Sequence, residues 1–216
     1  MLEKMAEFFD NRLVGYDEHM LNNIESARVF YPYTAACLPM NEGAEVLDLG
    51  CGTGLELEEY FRLNHSAKVT GIDLAPGMLA ELRRKLGERD ITLIEGSYFE
   101  IPLGEGKYDA AVSVESLHHF TKDEKLPLYK KLYNSLKDNG YFILTDYFAS
   151  SDEEECRLRQ DLIRLKAEQG ITDAEFYHYD TPLTVSHECE AIYEAGFSHV
   201  EVLNSWGATY TLRAIK

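Results

Sequence analysis

Residues 45–73, EVLDLGCGTGLELEEYFRLNHSAKVTGID, restrict the possible folds of this chain more than any other stretch. Val46, Leu47 and Leu49 form a short apolar run suited to a buried strand. The run breaks at Gly50, Gly52 and Gly54, which alternate with Cys51 and Thr53, and a helical pattern follows at once. Thr53 and Glu56 have capping-box spacing, which predicts a helix start inside the glycine loop. Val69 to Ile72 reads as a second strand ending on Asp73. Strand, glycine turn, helix, strand and terminal carboxylate make a nucleotide-binding βαβ unit. Glycines let backbone approach a ligand without a β-carbon in the way. A helix N-terminus offers free N–H groups, and a carboxylate about 20 residues on can accept from both ribose hydroxyls.

The spacing narrows the nucleotide. A G-x-G-x-x-G dinucleotide fingerprint begun at Gly50 needs glycine or alanine at position 55, where Leu55 stands. No G-K-[ST] follows, so the loop is not a P-loop. The pattern is Asp48-Leu49-Gly50-Cys51-Gly52-Thr53-Gly54.

A length of 216 residues predicts a single domain, 1–216, with a substantial core. The formal charge of −17 argues against a broad phosphate-binding surface, so a nucleic-acid partner is not expected. Cys37, Cys51, Cys156 and Cys189 are widely spaced, with no CxxC, which suits a reduced, cytoplasmic protein. No signal peptide and no apolar run of about 18 residues is visible, so no membrane span is expected.

Residues 1–40 read as a helical cap. Leu2, Met5, Ala6, Phe9 and Leu13 fall on one face, and Gly15 interrupts. Tyr16 to about Tyr31 is a second helix candidate that Pro32 kinks or ends. Phe8, Phe9 and Tyr16 either cover a ligand or fill core. Pro76 suits the first turn of a helix running to about Gly87, and Ile91 to Glu95 is a third strand. Tyr108 to Val114 is a fourth, running into Glu115-Ser116-Leu117-His118-His119-Phe120. Thr121 and Glu124 make a capping box for the next helix, which Asn139-Gly140 ends before a fifth strand from Tyr141 to Asp146.

Residues 150–183 form an insertion. Asp152 to about Gln169 is a charged helix, followed by Phe176-Tyr177-His178-Tyr179-Asp180-Thr181-Pro182. That aromatic cluster is either a lid against substrate or a packed cover for the sheet edge. Thr184 to Ala195 is helical, and Phe197 to Leu203 and Ala208 to Ile215 read as strands joined by Ser205-Trp206-Gly207. This link is short enough for an antiparallel hairpin.

His118, His119 and His19 are the candidate acid/base groups, since an unperturbed imidazole titrates near pH ~6.5. Each has a structural alternative: His19 on a solvated helix face, His118 and His119 packed at a helix start. Because His118 and His119 are adjacent, at most one is expected to enter a site. No third ligand at metal-site spacing stands out, so no metal is expected.

The glycine pattern D-x-G-x-G-x-G resembles motif I of the class I S-adenosylmethionine (SAM) methyltransferases. Several further stretches resemble that family in order: Gly96-Ser97-Tyr98 with Ile101-Pro102-Leu103, Lys107-Tyr108-Asp109, and LKDNGYFILTDY from Leu136. The resemblance covers roughly 44–216 and implies a Rossmann-like α/β fold. In it, a seven-stranded, mostly parallel sheet ends in an antiparallel hairpin with helices on both faces. It implies SAM as cofactor, held by Asp48, Gly50, Cys51, Gly52, Gly54, Asp73, Leu74, Met78, Ser97 and Tyr98, with Glu115 beneath the methionine moiety. Ser97 stands where the family carries an aspartate for the adenine amino group.

Phe8-Phe9-Asp10, Phe142 to Phe148, Leu183-Thr184-Val185-Ser186-His187-Glu188 and Ala195-Gly196-Phe197 are similar to the carboxy-SAM synthases of tRNA wobble-uridine modification. Those enzymes hold the added carboxylate with arginine in the insertion, and Gly170 to Thr181 here contains no arginine or lysine. A buried carboxylate without a cation is costly, which favours ordinary in-line methyl transfer to a small molecule. A carboxy-SAM synthase, a non-catalytic SAM binder and a nicotinamide dehydrogenase stay open as alternatives, as does a homodimer.

Overall fold

The computed structural model describes residues 1–216. Three helices lead the chain: α1 (Met5–Asp10), α2 (Tyr16–Asn23) and α3 (Ala27–Ala36). Five strands alternate with helices after them: β1 (Glu45–Leu49), α4 (Leu55–Leu63), β2 (Lys68–Asp73), α5 (Pro76–Leu86), β3 (Ile91–Glu95), β4 (Tyr108–Val114), α6 (Lys122–Ser135) and β5 (Leu136–Tyr147). Helices α7 (Asp152–Glu168) and α8 (Val185–Glu194) precede the hairpin of β6 (His199–Trp206) and β7 (Thr209–Ile215).

All seven strands lie in one sheet, ordered β3-β2-β1-β4-β5-β7-β6. β7 pairs antiparallel with both β5 and β6, and every other pairing is parallel. Near-continuous apolar strands follow from this, because helices cover both faces. Leu47, Leu49, Phe142 and Leu144 turn to a core closed by α6 and α8; Val46, Val69, Val112 and Ile143 turn to one closed by α3, α4 and α5. The sheet order reverses between β1 and β4, and in open α/β sheets ligands bind outside the strand ends at such a point. No helix is long and apolar enough to cross a membrane.

Three local readings need correction. The helix expected from Tyr16 to Tyr31 is two helices, broken where Ser26 takes φ 62°. Of the two readings for Pro32, a kink or an end, the end is overturned: α3 runs through it. A proline there removes one hydrogen bond, which the burial of Phe30, Tyr31 and Ala35 outweighs. The Asn139-Gly140 turn lies inside β5, with Asn139 at φ 62° and a register shift against β4 between Tyr108 and Ala110. The Thr121–Glu124 capping box is present as expected.

A buried ion pair ties α6 to α8. Lys125 Nζ lies 2.5 Å from Glu188 Oε2, both residues 1% exposed, and the Tyr129 hydroxyl donates to the other carboxylate oxygen. Removing one partner leaves an uncompensated charge, whereas replacing the whole set with apolar groups does not. Lys125→Met is expected to cost about 3–5 kcal/mol in urea unfolding. Adding Glu188→Leu and Tyr129→Phe should recover most of that loss. Equal instability of the single and triple variants would show that packing, not charge, dominates here.

Candidate active site

The glycine loop leaves β1 in the left-handed region, with φ 78° at Gly50, 47° at Gly52 and 77° at Gly54. At Gly50 a side chain is excluded twice. The conformation disfavours a β-carbon, and one placed there would overlap Ser116 Oγ and lie 2.7 Å from Ser116 Cβ. The Gly50 and Cys51 amides both donate to the Ile72 carbonyl, which fixes the loop to the end of β2. Asp73 completes the turn: its carboxylate accepts from the Gly52 amide at 2.8 Å and the Ala75 amide at 2.8 Å. Burial pushes the Asp73 carboxyl up, against the pull of those amides. An ionised carboxylate has about four acceptor positions, so two amides leave capacity for ligand hydroxyls.

The predicted Thr53–Glu56 capping box does not form. Gly54 is the N-cap of α4 and Thr53 donates to Asp17 of α2 instead. Asp17 also meets Lys85 Nζ of α5 at 2.7 Å, so the loop and two helices share one polar contact. Glu56 turns inward beneath the loop, 5% exposed, toward Asp48, 0% exposed. Neither Asp48 oxygen has an amide, hydroxyl or cation partner. Burial and the Glu56 charge push Asp48 well above the carboxylate range, while burial carries Glu56 up to about 6. Of the two, Asp48 is the carboxyl whose ionised form is the more strongly disfavoured.

Met5, Phe9, Tyr16, Gly50, Gly52, Asp73, Leu74, Met78, Tyr98 and Glu115 surround a cavity of about 50 Å³ at the loop. Gly50, Gly52, Asp73, Leu74, Met78, Tyr98 and Glu115 were among the expected cofactor residues. Asp48, Cys51, Gly54 and Ser97 do not line it. Asp48 lies beneath, Cys51 packs against Gly71, Gly54 meets Leu82, and Ser97 Oγ accepts from the Phe99 amide. This space alone is small beside the roughly 300–1,000 Å³ of typical ligand pockets.

A larger cavity of about 890 Å³ adjoins it, with Phe9, Tyr16, Glu115 and His119 on both walls. α1, α2, the β6–β7 turn and residues 178–180 enclose it. His118 and His119 both line it, contrary to the expectation that only one would. They belong to a single 3₁₀ turn, Leu117–His119, rather than a regular helix, and their rings lie 4.0 Å apart at 55°. His118 Nδ1 is 2.5 Å from Asp146 Oδ1, and Asp146 is fixed by the Leu117 amide at 2.8 Å. Burial opposes charge on His118, but Asp146 raises it to about 9, assisted by Asp180 and Glu115. His119 goes down, through burial and the neighbouring His118 charge. Glu115 sits at φ 49°, and burial with the Asp146 charge carries it up to about 7. His19 is on the far wall, exposed, its Nδ1 3.0 Å from Asn23 Nδ2.

Sequence spacing did not reveal the partners of these histidines. Asp146 was visible only as a strand end, and Asp180 only as part of the aromatic insertion. Residues 176–178 pair with the N-terminus, through Met5 N–H to Phe176 O at 2.9 Å and His178 N–H to Glu3 O at 3.0 Å. The Thr181 amide then donates to His118 O at 2.9 Å. These contacts deliver Asp180 Oδ1 to 3.1 Å from His119 Nδ1 and 3.6 Å from His118 Nε2.

Residues 46–140 match the methyltransferase domain family. With the sheet order and glycine loop, this makes the chain similar to the class I SAM-dependent methyltransferases and supports an enzyme whose cofactor is SAM. A carboxy-S-adenosyl-L-methionine synthase of Wolinella succinogenes is 29% identical over 233 residues, covering 95% of this chain and 91% of its own. Among solved structures, a Nostoc punctiforme protein described as an O-methyltransferase has TM-score 0.72 and 20% identity, covering 99% of this chain and 62% of its own. A Haemonchus contortus phosphoethanolamine N-methyltransferase 2, in complex with SAM, has TM-score 0.69 and 18% identity, covering 93% of this chain and 44% of its own. This chain thus spans less than two thirds of either solved chain.

Two predictions follow from the loop. Gly50→Ala should abolish SAM binding in calorimetric titration, and Gly52→Ala, whose β-carbon meets open space, should weaken it less. The reverse order would mean that the Gly50–Ser116 contact does not shape the site. For Glu56, the folded carboxyl ionises near 6 and an unfolded one near ~4.3. Stability therefore falls as pH rises through that window and stays lower above it. Glu56→Gln should stabilise by about 2 kcal/mol near neutral pH, with the gain vanishing toward pH ~4. A gain independent of pH in chemical unfolding would exclude this carboxyl as the cause.

Proposed function

We propose that the protein transfers a methyl group from SAM to a small molecule held in the 890 Å³ cavity. The observation that carries this reading is the shared wall. Phe9, Tyr16, Glu115 and His119 border both the loop cavity and the larger one, so a group bound at the loop faces an occupant next door. The residues present suit SAM: Asp73 for ribose hydroxyls, Met78 and Tyr98 as apolar walls, and Glu115 at the junction. When bound, SAM supplies a methyl already made electrophilic by its sulfonium. The protein's own task is alignment and exclusion of water, with reacting atoms about 3–3.5 Å apart. Phe8, Phe9, Tyr16 and Trp206 provide the apolar enclosure. His118, oriented by Asp146, can take a proton that leaves the acceptor only once it is itself deprotonated, so transfer should rise with pH toward about 9.

The net charge of −17 supports a small molecule over a nucleic acid. Similarity to a carboxy-SAM synthase keeps a second reading, carboxy transfer, in play. Gly170 to Thr181 lacks a cation, but Arg12 at the end of α1 lines the larger cavity, committed to Glu3 through two hydrogen bonds.

Titration with SAM, S-adenosylhomocysteine and NADH, with mass analysis of copurified ligand, tests the cofactor. A bound species heavier than SAM by a carboxyl group would favour the second reading. A panel of hydroxylated and thiol-bearing small molecules, read by S-adenosylhomocysteine release, then tests transfer. His118→Ala and Asp146→Asn should lower kcat by roughly 10²–10⁴ while SAM affinity changes little, and His19→Ala should have a small effect. Unchanged turnover in His118→Ala, His119→Ala and His19→Ala alike would remove histidine from the mechanism.

A further inference from the structure

We infer that His118 Nε2, His119 Nδ1 and Asp180 Oδ1 form a binding site for a divalent first-row transition ion of the Fe²⁺-to-Zn²⁺ class, with an open position toward the 890 Å³ cavity. The three candidate ligand atoms all lie within 4.8 Å of one another. Asp180 Oδ1 is 3.1 Å from His119 Nδ1 and 3.6 Å from His118 Nε2. Ligands of a four-coordinate ion with bonds of roughly 2.0–2.2 Å stand about 3.3–3.6 Å apart, so the two edges that meet at Asp180 are already close to that size.

His119 Nδ1 points independently to a ligand. The residue is 7% exposed, and this nitrogen is buried without a hydrogen-bond partner. Asp180 is near it but out of line for a hydrogen bond. Buried polar groups are nearly always satisfied, and an ion between nitrogen and carboxylate would satisfy both. His118 carries the orientation expected of a ligand. Its Nδ1 is held 2.5 Å from the Asp146 carboxylate, which fixes the tautomer and turns Nε2 toward Asp180. A carboxylate behind a ligating imidazole is the usual outer shell of such sites.

The donor set decides the ion. Two imidazoles and one carboxylate suit first-row transition ions, whereas Mg²⁺ and Ca²⁺ require mostly oxygen. Asp180 is about half exposed, 48% at the side chain, so an ion can enter from the cavity. The inference deepens the proposed function: with an ion in place of a proton on His118 Nε2, the corner selects an acceptor bearing an ionisable oxygen or sulfur that fills the open position.

The test uses the full chain after chelation and dialysis. Calorimetric titration with ZnCl₂ should show one equivalent bound, and Co²⁺ should give the visible absorption of a low-coordinate site. MgCl₂ should not compete. His119→Ala and Asp180→Asn should each weaken Zn²⁺ by about 100-fold or more, Asp146→Asn by roughly 10–100-fold, and His199→Ala, on the exposed β6, not at all. Titration with SAM on the same preparations separates the two readings. SAM binding without Zn²⁺ binding overturns the ion site and leaves the methyltransferase reading standing. Failure of SAM to bind while Zn²⁺ binds does the reverse. Zn²⁺ binding that survives both His119→Ala and Asp180→Asn also overturns the assignment, since the ion would then lie elsewhere.

Discussion

The close approach of Gly50 to Ser116 is the contact on which the site depends. β1 and β4 are neighbours at the point where sheet order reverses, and their chains must separate as they leave the sheet. With no β-carbon at Gly50, the loop lies directly against Ser116, and Tyr98 Oη closes the third side at 3.2 Å from Ser116 Oγ. The segment after β4 is thereby fixed with Glu115 in a left-handed conformation that a non-glycine residue adopts at some cost. That conformation turns Glu115 to the junction of the two cavities and starts the 3₁₀ turn that presents His118 and His119. The histidines are in the site because a glycine 68 positions earlier leaves room for the chain beside it.

Buried charge is handled in two ways. Between α6 and α8, Lys125, Tyr129 and Glu188 form a closed set in which each charge has a partner, and the contact joins two helices remote from the loop. Beneath the loop, Asp48 and Glu56 face each other without a cation between them, which costs stability at neutral pH. A buried acidic pair directly below the glycine turn lies where an apolar pair would pack better. Unfavourable chemistry concentrated at one point of an otherwise well-satisfied core is characteristic of functional regions.

Sequence patterns carried the sheet and the cofactor loop because both are local. Leu47 and Leu49, the alternate glycines and the terminal Asp73 lie within 29 residues of one another, and their spacing dictates the turn. The Thr121–Glu124 box was legible for the same reason. Thr53 and Glu56 have the same spacing but obey tertiary demands, one drawn to Asp17 of α2 and the other buried under β1. Pro32 likewise fails as a helix end because core packing overrides it. The acceptor corner was not legible because no period connects His118 to Asp146, 28 residues on, or to Asp180 beyond a helix. Strand order places the first, and main-chain pairing with the N-terminus places the second.

That pairing joins the walls of the two cavities. Glu3 and Met5 hold residues 176–178 by main-chain hydrogen bonds, and Phe8 stacks on the His178 ring at 3.4 Å between centroids. The same N-terminal helices supply Phe9 and Tyr16, which roof the loop cavity and leave it only about 50 Å³. These residues are joined through the N-terminal helices to the segment that carries Asp180. One stretch, the first twenty residues, thus borders the loop cavity and also holds the segment that completes the histidine corner, so the walls on the cofactor and acceptor sides share one support.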